Sequence, residues 1–186
     1  NASKGCREAC LFTAGRGTMD NVRNPRIKKT KNFLENKGQW VSQLKKEIQK
    51  ETRKAIKNNK KFVARLNGTS DIPWENENIF QTEKETQFYD YTKSSKRMIK
   101  FLEGKMPKNY HLTFSRSETN DFLCDIVLRR GGNVAIVFKN YDKVIADGYY
   151  NYNGKMYQVV DGDKNDLRFL DPKNCIIALK AKGKAR

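Results

Sequence analysis

Six short strand-like runs recur along the chain at a nearly constant spacing. They are Phe62–Asn67, Phe88–Tyr91, Tyr110–Ser115, Val134–Lys139, Tyr157–Val160 and Ile176–Leu179. The first five begin 26, 22, 24 and 23 residues apart, which is the length of one strand followed by one helix. Strands that alternate with helices at this spacing predict right-handed βαβ crossovers and a parallel sheet. The chain is therefore predicted to be an α/β protein whose parallel βα repeats form an open sheet or a partial (β/α)6-type barrel.

The segments between the runs agree with this prediction. An apolar stripe at Met98–Leu102 follows a serine cap and ends before Gly104, and a second stripe lies within Phe122–Val127. Both stripes are typical of helices between strands. No helix is expected after the fourth run, because residues 141–156 favour an inserted β-hairpin with Asn153-Gly154 as its two-residue turn.

The first third of the chain carries most of its net positive charge. The net charge is +17, and residues 1–61 hold 17 basic and 5 acidic side chains. Residues 1–30 are predicted to form a loop with short helical turns, and Trp40–Asn58 to form a helix with cations opposite its apolar stripe. A surface with this charge favours polyanions, so nucleic acid is the expected partner. The alternative is a solubilising surface without a specific partner.

The length of 186 residues suits one domain with a single core. We divide it into a basic loop and helix region at 1–61, βα repeats at 62–180 and a mobile basic tail at 181–186. The sequence has no apolar run of the roughly 20 residues needed to span a bilayer and no secretory signal. We therefore expect a cytoplasmic protein without a membrane partner. A start at Asn1, not Met, suggests that further residues precede it.

Polar residues follow nearly every predicted strand. In a parallel α/β sheet or barrel, the carboxyl ends of the strands open onto a common crevice in which ligands bind. Carboxylates and an imidazole in such a crevice can move protons, and carboxylates also bind Mg²⁺. The catalytic candidates are Asp71, Asp90, Asp161 and His111. The candidates for substrate binding through charge, hydrogen bonds or stacking are Arg65, Asn67, Thr69, Tyr89, Lys93, Ser115, Arg116, Lys139 and Asp163.

These residues also have a structural interpretation. Asp71 is well placed to cap a helix after the first strand, and Arg65 to form a salt bridge. Asp161 and Asp163 lie in a polar segment that is typical of a turn. His111 is the only histidine, so sites that need two histidines are excluded, and a lone histidine in a strand is usually a core residue. The sequence leaves the catalytic and the structural roles open.

The four cysteines fall into two pairs. Cys124 lies on an apolar helix face and Cys175 begins a strand, so both are expected to be buried. Cys6 and Cys10 are one helical turn apart and are the candidate metal ligands. Zinc and an iron–sulfur cluster are alternative cofactors there, and either needs further ligands.

Five phrases of the sequence carry a resemblance to a known family. They are Ala2–Cys10, Arg65–Trp74, Phe88–Lys93, His111–Ser115 and Val160–Asp163. Through them the chain resembles a family of bacteriophage proteins related to mycobacteriophage gene product eighty-eight. The resemblance implies one more strand and a further cysteine upstream, in an arrangement similar to radical-SAM barrels. The chain departs from radical-SAM enzymes because it lacks their CxxxCxxC spacing, and the resemblance implies no particular reaction.

One main expectation and two alternatives follow. The main one is a phage-encoded protein in the cytoplasm of the infected host cell. It would bind or act on nucleic acid or a nucleotide-like anion at the strand carboxyl ends, assisted by a metal or an iron–sulfur cluster. The first alternative is a non-catalytic binder that uses the basic helix, the Tyr149–Tyr152 hairpin and the tail. The second is a host-interaction protein whose charge is incidental.

Overall fold

Helices and strands alternate along most of the chain. The computed structural model describes residues 3–8, 10, 13 and 15–185. The helices of this part are α1 (Lys4–Glu8), α2 (Asp20–Glu35), α3 (Lys37–Lys57), α4 (Ile79–Thr82), α5 (Ser95–Leu102), α6 (Asp121–Arg129) and α7 (Tyr141–Asp147). The strands are β1 (Val63–Ala64), β2 (Gln87–Thr92), β3 (Tyr110–Ser115), β4 (Val134–Phe138), β5 (Tyr149–Tyr152), β6 (Lys155–Asp161) and β7 (Ile176–Lys180). Short 3-10 helices lie at Gly15–Thr18, Trp74–Glu77, Arg168–Leu170 and Gly183–Ala185.

The strands of the described part form one open sheet in the spatial order β1-β2-β3-β4-β7-β6-β5. Every neighbouring pair is parallel except β5 and β6, which form an antiparallel hairpin. The predicted α/β class with parallel repeats is confirmed. Of the two predicted arrangements the open sheet is the correct one, because β1 and β5 are its edges and the sheet does not close into a barrel. The radical-SAM-like arrangement is therefore not confirmed.

The amino-terminal part differs from the prediction in two places. α2 begins at Asp20, inside the segment predicted to be a loop with helical turns. Because α2 buries no residue, its sequence lacks the apolar stripe from which a helix is predicted. Residues 1, 2, 9, 11, 12 and 14 of that predicted loop lie outside the described residues. The first strand is confined to Val63–Ala64, because the backbone N–H of Asn67 bonds to a side chain of β2 instead of extending the ladder.

The segment after β4 contains a helix that the sequence analysis missed. α7 forms because Tyr141 and Val144 lie one turn apart and both pack into the core. The hairpin follows it and spans β5 and β6. Its turn is at Asn153-Gly154 as predicted, with φ of 50° and 81°, the left-handed region that this residue pair adopts readily.

The two faces of the sheet are covered differently. Buried residues of α4 to α7 pack on one face, in a core that includes Phe88, Leu112 and Ile176. The other face has a smaller cluster around Ile177 and is covered by residues 162–175, which we call the strap. The 3-10 helix of the strap contacts β2 and β3. The chain advances in one direction from β1 to β4 and reverses between β6 and β7, so a right-handed crossover there has to use the opposite face.

Two further sequence features can be compared with the fold. Cys124 and Cys175 are both buried, as predicted. Among the described residues, no helix combines the length and apolar character needed to cross a membrane.

Candidate functional site

The first group of predicted site residues lies where β1 meets β2. Asp90 is fully buried, and its carboxylate accepts hydrogen bonds from the Asn67 backbone N–H at 2.8 Å, the Asn67 side-chain amide at 3.0 Å and the Tyr110 hydroxyl at 2.9 Å. Burial raises the pKa of Asp90 to about 6, although these hydrogen bonds oppose the rise. The side-chain oxygen of Asn67 accepts in turn from the Ile72 N–H and the Trp74 indole. Asn67 and Asp90 thus hold the turn that follows β1.

Asp71 joins this group through a buried arginine. The Arg97 guanidinium on α5 pairs with Asp71 and donates to both carboxylate oxygens of Glu75, at 2.8 and 3.0 Å. It also donates to the Tyr110 hydroxyl at 2.6 Å, and this hydroxyl donates in turn to Asp90 of the first group. Asp71 further accepts a hydrogen bond from the Lys93 backbone N–H at 3.0 Å. The fold brings Asp71 near the other predicted residues, but as part of an ion-pair network.

Arg65 and Tyr89 meet at the strap. Asp166 of the strap accepts hydrogen bonds from the Arg65 guanidinium at 3.0 Å and from the Tyr89 hydroxyl at 3.1 Å. Burial, and after it the charge of Asp166, raises the pKa of Tyr89 to about 12. Arg65 also donates to the backbone oxygen of Asn67 at 3.1 Å and lies over the Tyr91 ring, 4.6 Å from its centroid. These contacts clamp the strap onto the β1–β2 edge.

His111 lies near the amino end of β3, away from the strand carboxyl ends. Its ring centroid is 5.3 Å from that of Phe101. Its Nε2 atom is buried and has no hydrogen-bond partner among the described residues. Burial, and then the charge of Arg168 on the strap, lowers the pKa of His111 to about 4. The imidazole is therefore neutral at pH 7 and enclosed.

Arg116 and Ser115 lie where β3 leads into α6. The Arg116 guanidinium bonds both carboxylate oxygens of Asp121, at 2.5 and 3.2 Å. The Ser115 carbonyl accepts a hydrogen bond from the Asn120 side-chain amide at 3.0 Å. Both predicted residues are therefore engaged in local contacts at the start of α6.

The amino-terminal segment is tied to the same edge of the sheet. Glu118 accepts a hydrogen bond from the Gly5 N–H at 2.8 Å, which docks α1 beside the β3–α6 loop. Cys6 and Cys10 are partly buried free thiols. Nowhere in residues 3–8, 10, 13 and 15–185 are three or more His, Cys, Asp or Glu side chains grouped as metal ligands. The described part of the chain thus gives no support for the predicted metal site.

Asp161 and Asp163 hold the turn after β6. Asp161 accepts hydrogen bonds from the Tyr141 hydroxyl and from the Asp163 N–H, the latter at 2.9 Å. Asp163 pairs with Lys182 of the predicted mobile tail, with 2.7 Å between Oδ1 and Nζ. The tail is therefore fixed at its start, and its last residue lies outside the described residues.

Several of the predicted site residues at the strand carboxyl ends thus make contacts within the protein. The carboxylates at the strand ends accept hydrogen bonds from protein donors, as described above. Thr69 and Lys139 are exposed, and neither has a side-chain hydrogen bond or ion pair with the part of the chain that the structure describes. The strand carboxyl ends hold the turns, the strap and the chain ends together.

A separate surface, formed by α2 and α3, carries the positive charge. α3 buries Val41 and Ile48 in the main core, and the Thr52 hydroxyl is 2.6 Å from that of Thr86 in the loop before β2. This confirms the apolar stripe predicted for the long helix. α2 buries no residue along its length. We call the solvent-facing sides of these two helices the basic helix pair.

An aromatic cluster fixes the basic helix pair to the sheet layer. Trp40 of α3 stacks on the buried Trp74, with 5.5 Å between ring centroids and 15° between ring planes. Phe33 of α2 meets both rings edge-on, at 5.3 and 5.5 Å. Aromatic contacts of this kind contribute about 0.5–1.5 kcal/mol each beyond the area they bury. The elbow between α2 and α3 is therefore anchored, so the charges on it have a defined position.

Most cations of the basic helix pair have no ion-pair partner among the residues that the structure describes. Three ion pairs are present there: Arg23 with Asp20 and Lys54 with Glu51, each at 3.9 Å, and Lys37 with Glu77 at 2.6 Å. The cations of residues 26–61 without a side-chain partner in the described structure are Arg26, Lys28, Lys29, Lys31, Lys45, Lys46, Lys50, Arg53, Lys57, Lys60 and Lys61. The surface therefore presents a dense field of uncompensated positive charge.

Comparison with known proteins identifies the family. The family model described as Gene product 88 matches residues 1–186, the whole chain. The chain belongs to the Gene product 88 family of phage proteins. No curated protein and no solved structure is significantly similar to it.

Several groups that organise this Gene product 88 protein were missed by the sequence analysis. The most important is Arg97, which is buried and joins two carboxylates to a tyrosine. One signal was available, since Arg97 lies four residues before Phe101 and so falls on the apolar face of α5. Asp166 and Glu118 had no such signal, because their partners are 101 and 113 residues away in sequence.

Proposed function

We propose that this Gene product 88 protein binds nucleic acid through the basic helix pair. The observation that carries the proposal is the set of exposed cations on α2 and α3 without a carboxylate partner in the described structure. Phosphate contacts from lysine and arginine supply most of the affinity in non-specific nucleic-acid binding. The sheet and its helices act as the scaffold that positions this surface.

The contrast with the rest of the molecule supports this assignment. Several cations near the strand carboxyl ends are paired, as in Arg65 with Asp166 at 3.0 Å and Lys182 with Asp163 at 2.7 Å, although Lys139 has no ion pair with a described residue. Charge that served only solubility would not need to be concentrated on two adjacent helices. A surface that lacks its own counter-ions keeps its cations available to an external polyanion.

The strand ends are a weaker candidate for the interaction. Asp71, Asp90 and Asp161 each accept hydrogen bonds from the protein, so an incoming ligand would have to displace them. We therefore assign binding to the basic helix pair and include no metal or iron–sulfur chemistry in the proposal.

Fluorescence anisotropy with 30-nucleotide single strands and duplexes, measured across a range of salt concentrations, tests the proposal. The variant Lys28→Gln/Lys46→Gln/Lys50→Gln removes three exposed cations of the basic helix pair. For a single strand, the slope of the logarithm of the binding constant against the logarithm of the salt concentration should become less steep by about 2. Each lost phosphate contact lowers the steepness of this slope by about 0.7, and three contacts are removed.

The matched control is Lys100→Gln/Lys108→Gln/Lys173→Gln, which removes the same charge from exposed positions on other elements. It should bind nearly as the wild type does. Equal losses in the two variants would show that binding follows net charge alone. Absence of wild-type binding at low salt would overturn the proposal outright.

A further inference from the structure

A groove lies in the elbow between α2 and α3. Its volume is about 520 Å³, within the range of small-ligand sites in proteins. It is lined by one turn of α2 and by the first half of α3, with Trp40 and Leu44 among the lining residues. Trp40 stacks on the buried Trp74, which fixes the position of its ring.

The groove combines the groups that recognise a nucleotide. Lys29 on α2 and Lys46 on α3 supply positive charge from both helices, and neither has an ion pair with a described residue. The amides of Asn32, Gln39 and Gln43 offer donors and acceptors, which is the pattern that pairs with base edges.

One anionic group also lines the groove. Glu47 accepts a hydrogen bond from the Gln43 amide nitrogen at 2.9 Å. This bond orients the amide so that its carbonyl oxygen is turned away from Glu47 and is available as an acceptor. The Glu47 carboxylate lowers the net positive charge of the groove, which weakens binding of a phosphate group alone. The groove is therefore better suited to a whole nucleotide, whose base adds contacts with the amides.

We infer that this groove binds one nucleotide of a single-stranded nucleic acid, with the phosphate between Lys29 and Lys46 and the base edge at the amides. The inference rests on the proposed function and adds the strand type and the residues that read it. An unstacked base of a single strand can enter a groove of about 520 Å³, whereas the bases of a duplex are paired and stacked within the helix. Single-stranded DNA and RNA share this chemistry, and the experiment separates them.

The test uses the full chain and hexanucleotides, which are short enough to report on a single site. The variant Lys29→Gln/Lys46→Gln should weaken hexamer binding about 60-fold at about 0.05 M salt, the loss expected when two phosphate contacts disappear. The matched control Lys28→Gln/Lys50→Gln removes the same charge from the same helices outside the groove. It should weaken 30-nucleotide strands as much as the groove variant does, but should weaken hexamers several-fold less than that variant.

A second variant tests base recognition without changing charge. Gln39→Leu should change the ratio of affinities for oligo-dT, oligo-dC and oligo-dA hexamers while leaving the salt slope as in the wild type. Gln81→Leu, at an exposed position on α4, is its control. Parallel measurements with RNA hexamers show which sugar the site accepts.

The possible outcomes separate the two proposals. Equal effects of the two lysine double variants on hexamers, or equal affinity for a short duplex, would overturn the groove assignment and leave binding by the basic helix pair intact. Failure of the wild type to bind any strand would remove both. Loss of hexamer binding in the groove variant alone supports the assignment.

Discussion

The only histidine of the chain gives a direct test of how the strap and the sheet are packed. Burial, and after it the charge of Arg168, lowers the pKa of His111 from 6.5 to about 4. A group whose folded pKa is depressed in this way stabilises the fold while it is neutral. The contribution is therefore fully present above pH 6.5, and it is lost as the pH falls toward 4. A shift of this size corresponds to about 3 kcal/mol, at 1.36 kcal/mol per pKa unit.

Asp90 acts in the same pH range with the opposite sign. Its pKa is raised from 3.8 to about 6 by burial, so its folded state favours the protonated form. The contribution of Asp90 is present below pH 3.8 and is lost as the pH rises through 6. The two residues partly cancel in the wild-type profile, so the wild type alone does not reveal either effect. A His111→Phe variant keeps a ring at this position and removes only the titration of the imidazole.

Urea unfolding of wild type and His111→Phe between pH 7.5 and 4 measures the effect. The wild type should lose about 3 kcal/mol more free energy of unfolding than the variant over this range. The imidazole NMR signals of the wild type need no assignment, because the chain has one histidine. A titration midpoint near 6.5 in the folded protein, or parallel pH profiles for the two proteins, would refute the packing that we describe for His111.

Two further substitutions test the packing of the fold by urea denaturation. Arg97→Leu leaves the buried Glu75 and the partly buried Asp71 without their cation, so it should lower the free energy of unfolding by about 3–5 kcal/mol. Arg129→Leu breaks an exposed ion pair and should lower it by about 0.5 kcal/mol or less. Equal losses in the two variants would contradict the network. Gly162→Ala places a Cβ 2.6 Å from a methyl of Ile177 and 2.9 Å from a backbone oxygen, so it should destabilise by about 1–3 kcal/mol. Its control is Gly38→Ala in α3, where the added Cβ meets no atom within 4 Å, so this change should stabilise the helix slightly. If Gly162→Ala were as stable as the wild type, the strap would start farther from β7 than described.

The periodic part of the fold was predictable from sequence because its causes are local. The runs of β2, β3, β4 and β7 each supply buried apolar residues, and the spacing between the early strands fits one helix. The Asn153-Gly154 turn was also predictable, since it requires only two residues with positive φ. The same reasoning failed for α2, which buries no residue and whose apolar residues Ile27 and Leu34 are exposed.

The reversal of strand order was not predictable from the spacing. β6 begins at the interval expected of one more repeat, yet it lies beyond β7 in the sheet. What distinguishes it is the strap, which has no apolar periodicity and is held by contacts that are distant in sequence, such as Asp166 with Arg65. Long-range partners at the candidate site, such as Asp166 with Arg65 and Glu118 with Gly5, were unpredictable for the same reason.

The distribution of charge connects the fold with the proposed function. At the strand ends, acidic and basic residues occur together, and each carboxylate fixes a turn or an ion pair, as Asp163 does with Lys182. The first 61 residues hold 17 basic but only 5 acidic side chains, so most of the cations there cannot find a local acidic partner. Concentrated positive charge raises the free energy of the folded chain through repulsion. A bound polyanion would relieve that repulsion, and this is the physical reason for assigning the proposed binding to the basic helix pair.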